Sequence, residues 1–233
     1  MKDTFLSARL VTPDTIRLMI FSSAPAERFH IFLIQDDVKV SKLQPSRQNS
    51  MSGIFLADFH FPQEVELGHS YRISIDSYGE TPLDVSEATS FPGFDEKYRY
   101  DGELGARVHD ERTDFALWAP LASKVSLKLK RPKEDSYSLY PMKRGKNGEY
   151  TISFPENLDG SYYLYQIVNS EVLRETTDPY AKGSTLNSKE SVVIDFKKLK
   201  QSFHREDLPT LTSPTDAIIY EGHVRDLTID SHT

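Results

Sequence analysis

The sequence predicts an all-β chain built from two tandem β-sandwiches. Apolar and polar residues alternate with a period of two in several runs of both halves, which is typical of half-buried antiparallel strands. Pro, Gly, Ser and Asn separate these runs, as expected of turns. The only stretch with helical character is short and lies near Asp195–Phe203. An all-β class follows from these three observations.

The first sandwich is predicted over residues 1–90. The runs "TIRLMIF" and "YRISID" each place three apolar side chains on one face, namely Ile16, Leu18 and Ile20, and Tyr71, Ile73 and Ile75. A polar stretch containing Pro82, Pro92 and Gly93 then interrupts the alternation. Such a stretch suits a domain boundary better than a core, and we place the boundary near Ser90.

The second sandwich is predicted over residues 95–205. Its strand faces carry Phe115 and Leu117 in one run, and Val125, Leu127 and Leu129 in the next. The pair Asn147-Gly148 lies in "GKNGEYTIS" and is the pair favoured in type I′ turns, so we predict a hairpin there.

The run "GSYYLYQIV" is apolar on both faces. Tyr163 and Tyr165 share one face, while Tyr162 and Leu164 share the other. One face is expected in the core. The other is either an interface with a further domain or a platform on which a ligand stacks.

The third predicted segment, residues 206–233, is a linker followed by one strand. Residues 217–220, "AIIY", are continuously apolar, which is typical of a strand buried on both faces. The polar residues His223, Arg225 and Asp226 follow it, as where a barrel strand gives way to its loop. We expect the orphan first strand of a truncated (β/α)8 barrel, because no other barrel strand is present.

Composition excludes several function classes. The formal net charge is −7, and Lys and Arg are scattered, so the sequence predicts no nucleic-acid partner. Cysteine is absent, which excludes disulfide frameworks and Cys-ligated zinc. No signal peptide or membrane span is recognised, so we predict no membrane partner and a cytoplasmic location. Calcium loops, HExxH motifs and Gly-rich phosphate loops are also missing, and we predict no metal and no cofactor.

Five motifs carry a family resemblance. They are "YDGELGA" (100–106), "FALWAP" (115–120), "GSYYLYQI" (160–167), "TTDPYAK" (176–182) and "AIIYEGHVRD" (217–226). They occur in the order seen in type I pullulanases, which are starch-debranching members of the α-amylase superfamily. The chain resembles the N-terminal part of these enzymes. One departure is Gly222, where the family usually carries a larger residue, and glycine weakens strands.

The resemblance implies both architecture and function. Residues 95–205 resemble a carbohydrate-binding module of family forty-eight, an immunoglobulin-like sandwich, and residues from 215 resemble the first barrel strand. The implied fold is two tandem immunoglobulin-like β-sandwiches followed by that orphan strand. We expect the front part of a glycoside hydrolase that cleaves α-1,6-glucosidic bonds in pullulan, starch or glycogen.

The expected role of the chain itself is non-catalytic. The family's paired carboxylates lie on later barrel strands, so no catalytic residue can be named and we expect no activity from the chain alone. The expected partners are the catalytic barrel of the same polypeptide, which the region stabilises and positions, and α-glucan. The alternative is a free-standing α-glucan-binding module.

Three aromatic residues are candidate substrate contacts: Trp118, Tyr162 and Tyr163. Packing within the sandwich is the favoured explanation for Trp118, and an interdomain face is favoured for the tyrosines. Family members that bind glycogen through this module use two tryptophans and a lysine, a pattern that one tryptophan cannot meet. We therefore predict no affinity of this module for maltotetraose tighter than about millimolar. The first sandwich is the better candidate for any glucan affinity that the chain has.

Overall fold

The computed structural model describes residues 6–21, 30–51, 53–76, 78–198 and 210–229. These belong to two units, residues 1–196 and residues 197–233. Strands dominate the first unit and its helical segments are few and short, so the predicted all-β class is confirmed.

Eight strands form the N-terminal part of the first unit: β1 (Leu6–Thr12), β2 (Thr15–Phe21), β3 (Ile31–Gln35), β4 (Val38–Leu43), β5 (Arg47–Met51), β6 (Ile54–His60), β7 (Tyr71–Ile75) and β8 (Gly79–Asp84). They make one sheet in the order β4-β3-β7-β8-β1-β2-β6-β5. Its pairs are antiparallel except β1 with β8, which is parallel and joins the two halves of the sandwich. Both halves bury their apolar faces in a single first core, which includes the predicted residues Ile16, Leu18, Ile20, Tyr71, Ile73 and Ile75.

A short helical segment follows β8. It consists of a 3₁₀ turn at Ser86–Ser90 and the helix α1 (Phe94–Tyr98). Gly93 precedes the helix with φ 81°, a left-handed conformation that glycine adopts without steric cost. Phe94 and Tyr98 pack into the first core. The first core therefore extends past Ser90, while the domain boundaries themselves stay a prediction.

Nine further strands form two facing sheets: β9 (Gly105–Val108), β10 (Thr113–Trp118), β11 (Lys124–Lys130), β12 (Ser138–Pro141), β13 (Lys143–Arg144), β14 (Glu149–Phe154), β15 (Tyr162–Asn169), β16 (Val172–Thr176) and β17 (Ser191–Val192). The sheet orders are β13-β14-β10-β9 and β12-β11-β15-β16, with β17 on β15. Their inner faces enclose a second core, whose members include Phe115, Leu117, Val125, Leu127, Leu129, Tyr163 and Tyr165.

The predicted hairpin at Asn147-Gly148 is present, between β13 and β14. Its turn is not type I′, which needs positive φ at both central residues. Only Gly148 has positive φ, at 80°. The N–H of Gly148 donates to the carbonyl of Gly145, and the N–H of Gly145 donates to the carbonyl of Glu149. A longer connection with one left-handed glycine thus replaces the predicted two-residue turn.

The second unit contains a 3₁₀ turn (Pro214–Asp216) and the helix α2 (Val224–Thr228). Between them, residues 217–223 belong to no strand, and Ile218, Ile219 and Tyr220 are 98%, 89% and 83% exposed. The predicted barrel strand is therefore unpaired in the described part of the chain. A strand of this type forms only where neighbouring strands take up its backbone hydrogen bonds.

Some predicted features fall beyond the described residues. These are residues 199–203 of the predicted helix, and residues 206–209 and 230–233 of the predicted linker and strand. Residues 196–198 of that predicted helix form a turn. Within the described ranges, no helix has the length and apolar character needed to cross a bilayer.

Candidate functional site

Tyr163 lies fully buried in the second core. Its hydroxyl donates to Oδ2 of Asp178 at 2.8 Å, and the hydroxyl of Tyr165 donates to the same oxygen at 3.4 Å. Burial raises the pKa of both phenols, so they remain donors to the carboxylate. A ring enclosed in this way has no free face for a sugar. The geometry gives Tyr163 the role of a core anchor for the "DPY" turn.

Trp118 lies at the end of β10 and is 38% exposed. Its Nε1–H donates to two carbonyl oxygens, that of Tyr98 at 2.8 Å and that of Asn147 at 3.1 Å. The indole also meets Phe94 edge to face, with 6.3 Å between ring centroids. Because Tyr98 and Phe94 belong to the first core, Trp118 connects the two sandwiches.

Tyr162 is half-buried on the outer face of β15, on the side away from the second core. The Nζ atom of Lys130 lies 5.2 Å from its ring centroid and 5.1 Å from the ring centroid of Tyr137. Lys128 Nζ is 4.8 Å from the Tyr137 ring. These four residues, Lys128, Lys130, Tyr137 and Tyr162, are called the tyrosine–lysine face below.

The strand register explains how the tyrosine–lysine face forms. In the β11–β15 pair, Lys130 is opposite Tyr162 and Lys128 is opposite Leu164, so alternate side chains of both strands project to the same side. Tyr137 comes from the loop before β12 and folds over this side. Sequence reasoning missed Tyr137, because a residue in an irregular loop follows no periodic pattern.

Carboxylates surround the tyrosine–lysine face. Glu175 accepts from Lys128 Nζ at 2.9 Å and from Gln166 Nε2 at 3.2 Å. The hydrogen bond from Lys128 is the main reason that the pKa of Glu175 is lowered. The hydroxyl of Tyr137 donates to Glu190. The surface therefore offers cationic donors and anionic acceptors on either side of two aromatic rings.

A second concave surface lies in the first sandwich, beside the 3₁₀ turn and α1. This helix cleft has a volume of about 120 Å³, and its walls include Leu10, Val65, Phe91, Phe94 and Tyr98. At its rim, Lys97 Nζ and Glu64 Oε2 are 3.1 Å apart. An apolar lining with a few polar groups is the usual composition of a small-ligand site. No group of His, Asp or Glu arranged for a metal is found among the described residues.

Comparison with known proteins identifies the second sandwich. Residues 103–181 match the family described as carbohydrate-binding module 48 (isoamylase N-terminal domain). This part of the chain is a family 48 module. The module contains Trp118 and all four residues of the tyrosine–lysine face, whereas the helix cleft lies outside it.

The relatives that cover most of the chain are pullulanases. The pullulanase of Bacillus subtilis strain 168 is 32% identical over 169 residues, which cover 72% of this chain and 23% of that relative. The crystal structure of the Anoxybacillus sp. LM18-11 pullulanase complexed with maltotriose is 31% identical with a TM-score of 0.83, over 97% of this chain and 33% of that one. The type I pullulanase of B. subtilis complexed with maltose gives 27% identity and a TM-score of 0.78, over 99% and 32%.

These comparisons confirm the predicted resemblance. The chain corresponds to an N-terminal region of pullulanases that includes a family 48 module. It spans about a quarter of the length of the first curated relative and a third of that of the first structural relative.

Proposed function

We propose that this chain is the non-catalytic N-terminal region of a pullulanase-type debranching enzyme, and that it contacts α-glucan while supporting the catalytic domain. The similarity to pullulanases supports this role, as does the family 48 module. Related pullulanases have been crystallised with maltotriose and with maltose. The substrate that we propose for the whole enzyme is an α-1,6-linked glucan such as pullulan, after which these relatives are named.

The tyrosine–lysine face is the observation that carries the glucan contact. Two tyrosine rings lie on one sheet face, with the ammonium group of Lys130 within 5.1 and 5.2 Å of their centroids. Aromatic rings pack against the apolar faces of sugars, while charged groups beside them hydrogen-bond to hydroxyls. Both rings are only half-exposed, which limits the area they offer. Weak binding follows, in keeping with the millimolar expectation.

The test is a titration of the chain with maltotetraose, in which NMR monitors the binding. Tyr137→Ala removes one ring from the face and should weaken binding about tenfold. Tyr180→Ala is the matched control, because Tyr180 is another exposed tyrosine of the same module that lies outside the face. Equal affinity of the two variants would remove the tyrosine–lysine face from the proposal.

The helix cleft is a second candidate, favoured by its apolar lining and by the Lys97–Glu64 pair at its rim. Its 120 Å³ volume suits no more than a single sugar ring. Phe91 lies in its wall and is half-buried, so its ring is open to a ligand. In the same titration, Phe91→Ala should weaken binding if the cleft contributes, and an unchanged affinity would exclude it.

A further inference from the structure

The β15–β16 hairpin extends beyond the second core. Its pairs Tyr165–Thr176, Ile167–Arg174 and Asn169–Val172 alternate with pairs that project to the opposite side. Tyr165 is fully enclosed, Ile167 is half-buried and Val172 is 50% exposed. The face that begins as core thus becomes accessible toward the tip of the hairpin.

The tip of this hairpin is fixed to the first sandwich. Glu171 Oε1 accepts from Arg72 Nη1 at 3.1 Å and from Ser70 Oγ at 3.0 Å. Ser170 Oγ accepts from the N–H of Val85 at 3.4 Å. Arg72 also pairs with Asp37 at 2.6 Å, which holds its guanidinium in place. These hydrogen bonds hold the tip of the hairpin against the first sandwich, at Arg72 of β7 and at Ser70 and Val85 beside β7 and β8.

A cleft of about 800 Å³ remains beside this contact. Its walls include Pro82, Asp84 and Ser86 of the first sandwich, and Ile167, Val172 and Arg174 of the hairpin. The volume lies within the roughly 300–1,000 Å³ of small-molecule sites, and a junction between domains is a common place for such sites. These six residues define the junction cleft.

The lining of the junction cleft combines an aliphatic surface with hydrogen-bonding groups. Pro82, Ile167 and Val172 supply the apolar part. Asp84 presents a carboxylate, whose Oδ1 accepts from the N–H of Ser86 at 2.9 Å. Within the described ranges, the exposed guanidinium of Arg174 has no ion-pair partner.

We propose that the junction cleft binds a neutral, linear oligosaccharide, with the guanidinium of Arg174 and the carboxylate of Asp84 hydrogen-bonding to its hydroxyls. Asp84 and Glu175 of the cleft lining offset the positive charge of Arg174, which disfavours a phosphorylated or otherwise anionic ligand. The charged walls disfavour a purely apolar one. The choice of an α-linked glucan among neutral oligosaccharides rests on the proposed function.

Methyl NMR of the 233-residue chain tests this site separately from the tyrosine–lysine face. Ile167 and Val172 report on the junction cleft, while Leu139 and Leu164 report on the tyrosine–lysine side of the sheet. Titration with maltotetraose should shift the Ile167 and Val172 methyl signals along a saturable curve. Arg174→Ala should weaken this response about tenfold and leave the Leu139 and Leu164 response unchanged.

Three results would overturn the inference. If only Leu139 and Leu164 respond, the junction cleft does not bind glucan, whereas the proposed function stands. If none of the four methyl groups responds, glucan binds neither at the junction cleft nor at the tyrosine–lysine face, and both proposals are wrong. Val172→Trp places a large ring in the cleft and gives a second variant, which should abolish the Ile167 response. An Ile167 response that survives both substitutions would also reject the site.

Discussion

The indole N–H of Trp118 donates to the backbone carbonyl of Tyr98 at 2.8 Å, and this hydrogen bond joins the two sandwiches. The same N–H is shared with the carbonyl of Asn147, whose side-chain Nδ2 in turn donates to the carbonyl of Arg99 at 2.7 Å. The one tryptophan of the chain is thus engaged by backbone on both sides of the junction.

Replacing Trp118 with phenylalanine should destabilise this junction. The substitution keeps an aromatic ring beside Phe94 but removes the donor that two carbonyls share, which costs about 1 kcal/mol. Urea unfolding followed by circular dichroism measures the loss. Phe196→Leu is the control, because Phe196 is an exposed aromatic residue away from this contact. Equal stability of Trp118→Phe and the unmodified chain would contradict a structural role for the indole N–H.

Gly68→Ala should lower the free energy of unfolding by more than the strain of its backbone conformation alone. Gly68 has φ 96°, and an added Cβ would overlap Nε of Arg144, whose Nη2 donates to the carbonyl of Pro120. Gly53 also has positive φ, 82°, but no atom of the described residues lies within 4 Å of its Cβ position. Both alanine variants carry the backbone strain of about 1 kcal/mol. Denaturant unfolding should show a further loss in Gly68→Ala alone, and equal losses would mean that Arg144 moves freely.

Asp178 should make stability depend on pH in the mildly acidic range. Burial raises the pKa of this carboxyl, although hydrogen bonds from Tyr180 N–H and from the hydroxyls of Tyr163 and Tyr165 oppose the rise. Because the pKa is higher in the folded chain than in the unfolded one, the stabilising contribution is full at low pH and is lost as pH rises through the folded pKa.

The matched variant for this effect is Asp178→Asn, which keeps the shape but does not titrate. The free energy of unfolding of the unmodified chain, relative to this variant, should be higher at about pH 4 than at about pH 7. Denaturation at the two pH values measures the difference. A difference of opposite sign would show that the hydrogen bonds outweigh the burial.

The chain alone should not hydrolyse pullulan. Retaining glycoside hydrolysis needs two carboxylates about 5 Å apart on either side of the scissile bond, and we assign no such pair in this region. Reducing-sugar release is the measurement, with protein from a host strain that lacks amylases. A pullulanase of full length provides the positive control, and release above buffer by the purified chain would contradict a non-catalytic role.

The sequence could predict which side chains face the cores, because strand alternation depends only on neighbouring residues. Phe115, Leu127 and Leu129 were assigned correctly for this reason. Contacts between distant segments could not be predicted in the same way. Trp118 meets Tyr98 only after the second sandwich docks on the first, and Tyr137 joins Tyr162 only through a loop without regular pattern.

The predicted hairpin illustrates the same limit at short range. Asn147-Gly148 indicated the position of the turn, but the geometry is set by where β13 and β14 begin their ladder. Residues 217–220 show that composition alone does not make a strand. Their apolar composition indicates one, but a strand also needs a neighbouring strand to pair with, and no pairing is present in the described part of the chain.

The parallel pairing of β1 with β8 determines how the first sandwich tolerates shortening. β1 is the fifth of the eight strands in the sheet and lies in its interior, with β8 on one side and β2 on the other. Deletion of β1 would therefore not trim an edge. It would divide one continuous sheet into β4-β3-β7-β8 and β2-β6-β5, each with a newly exposed edge strand that invites pairing with other chains.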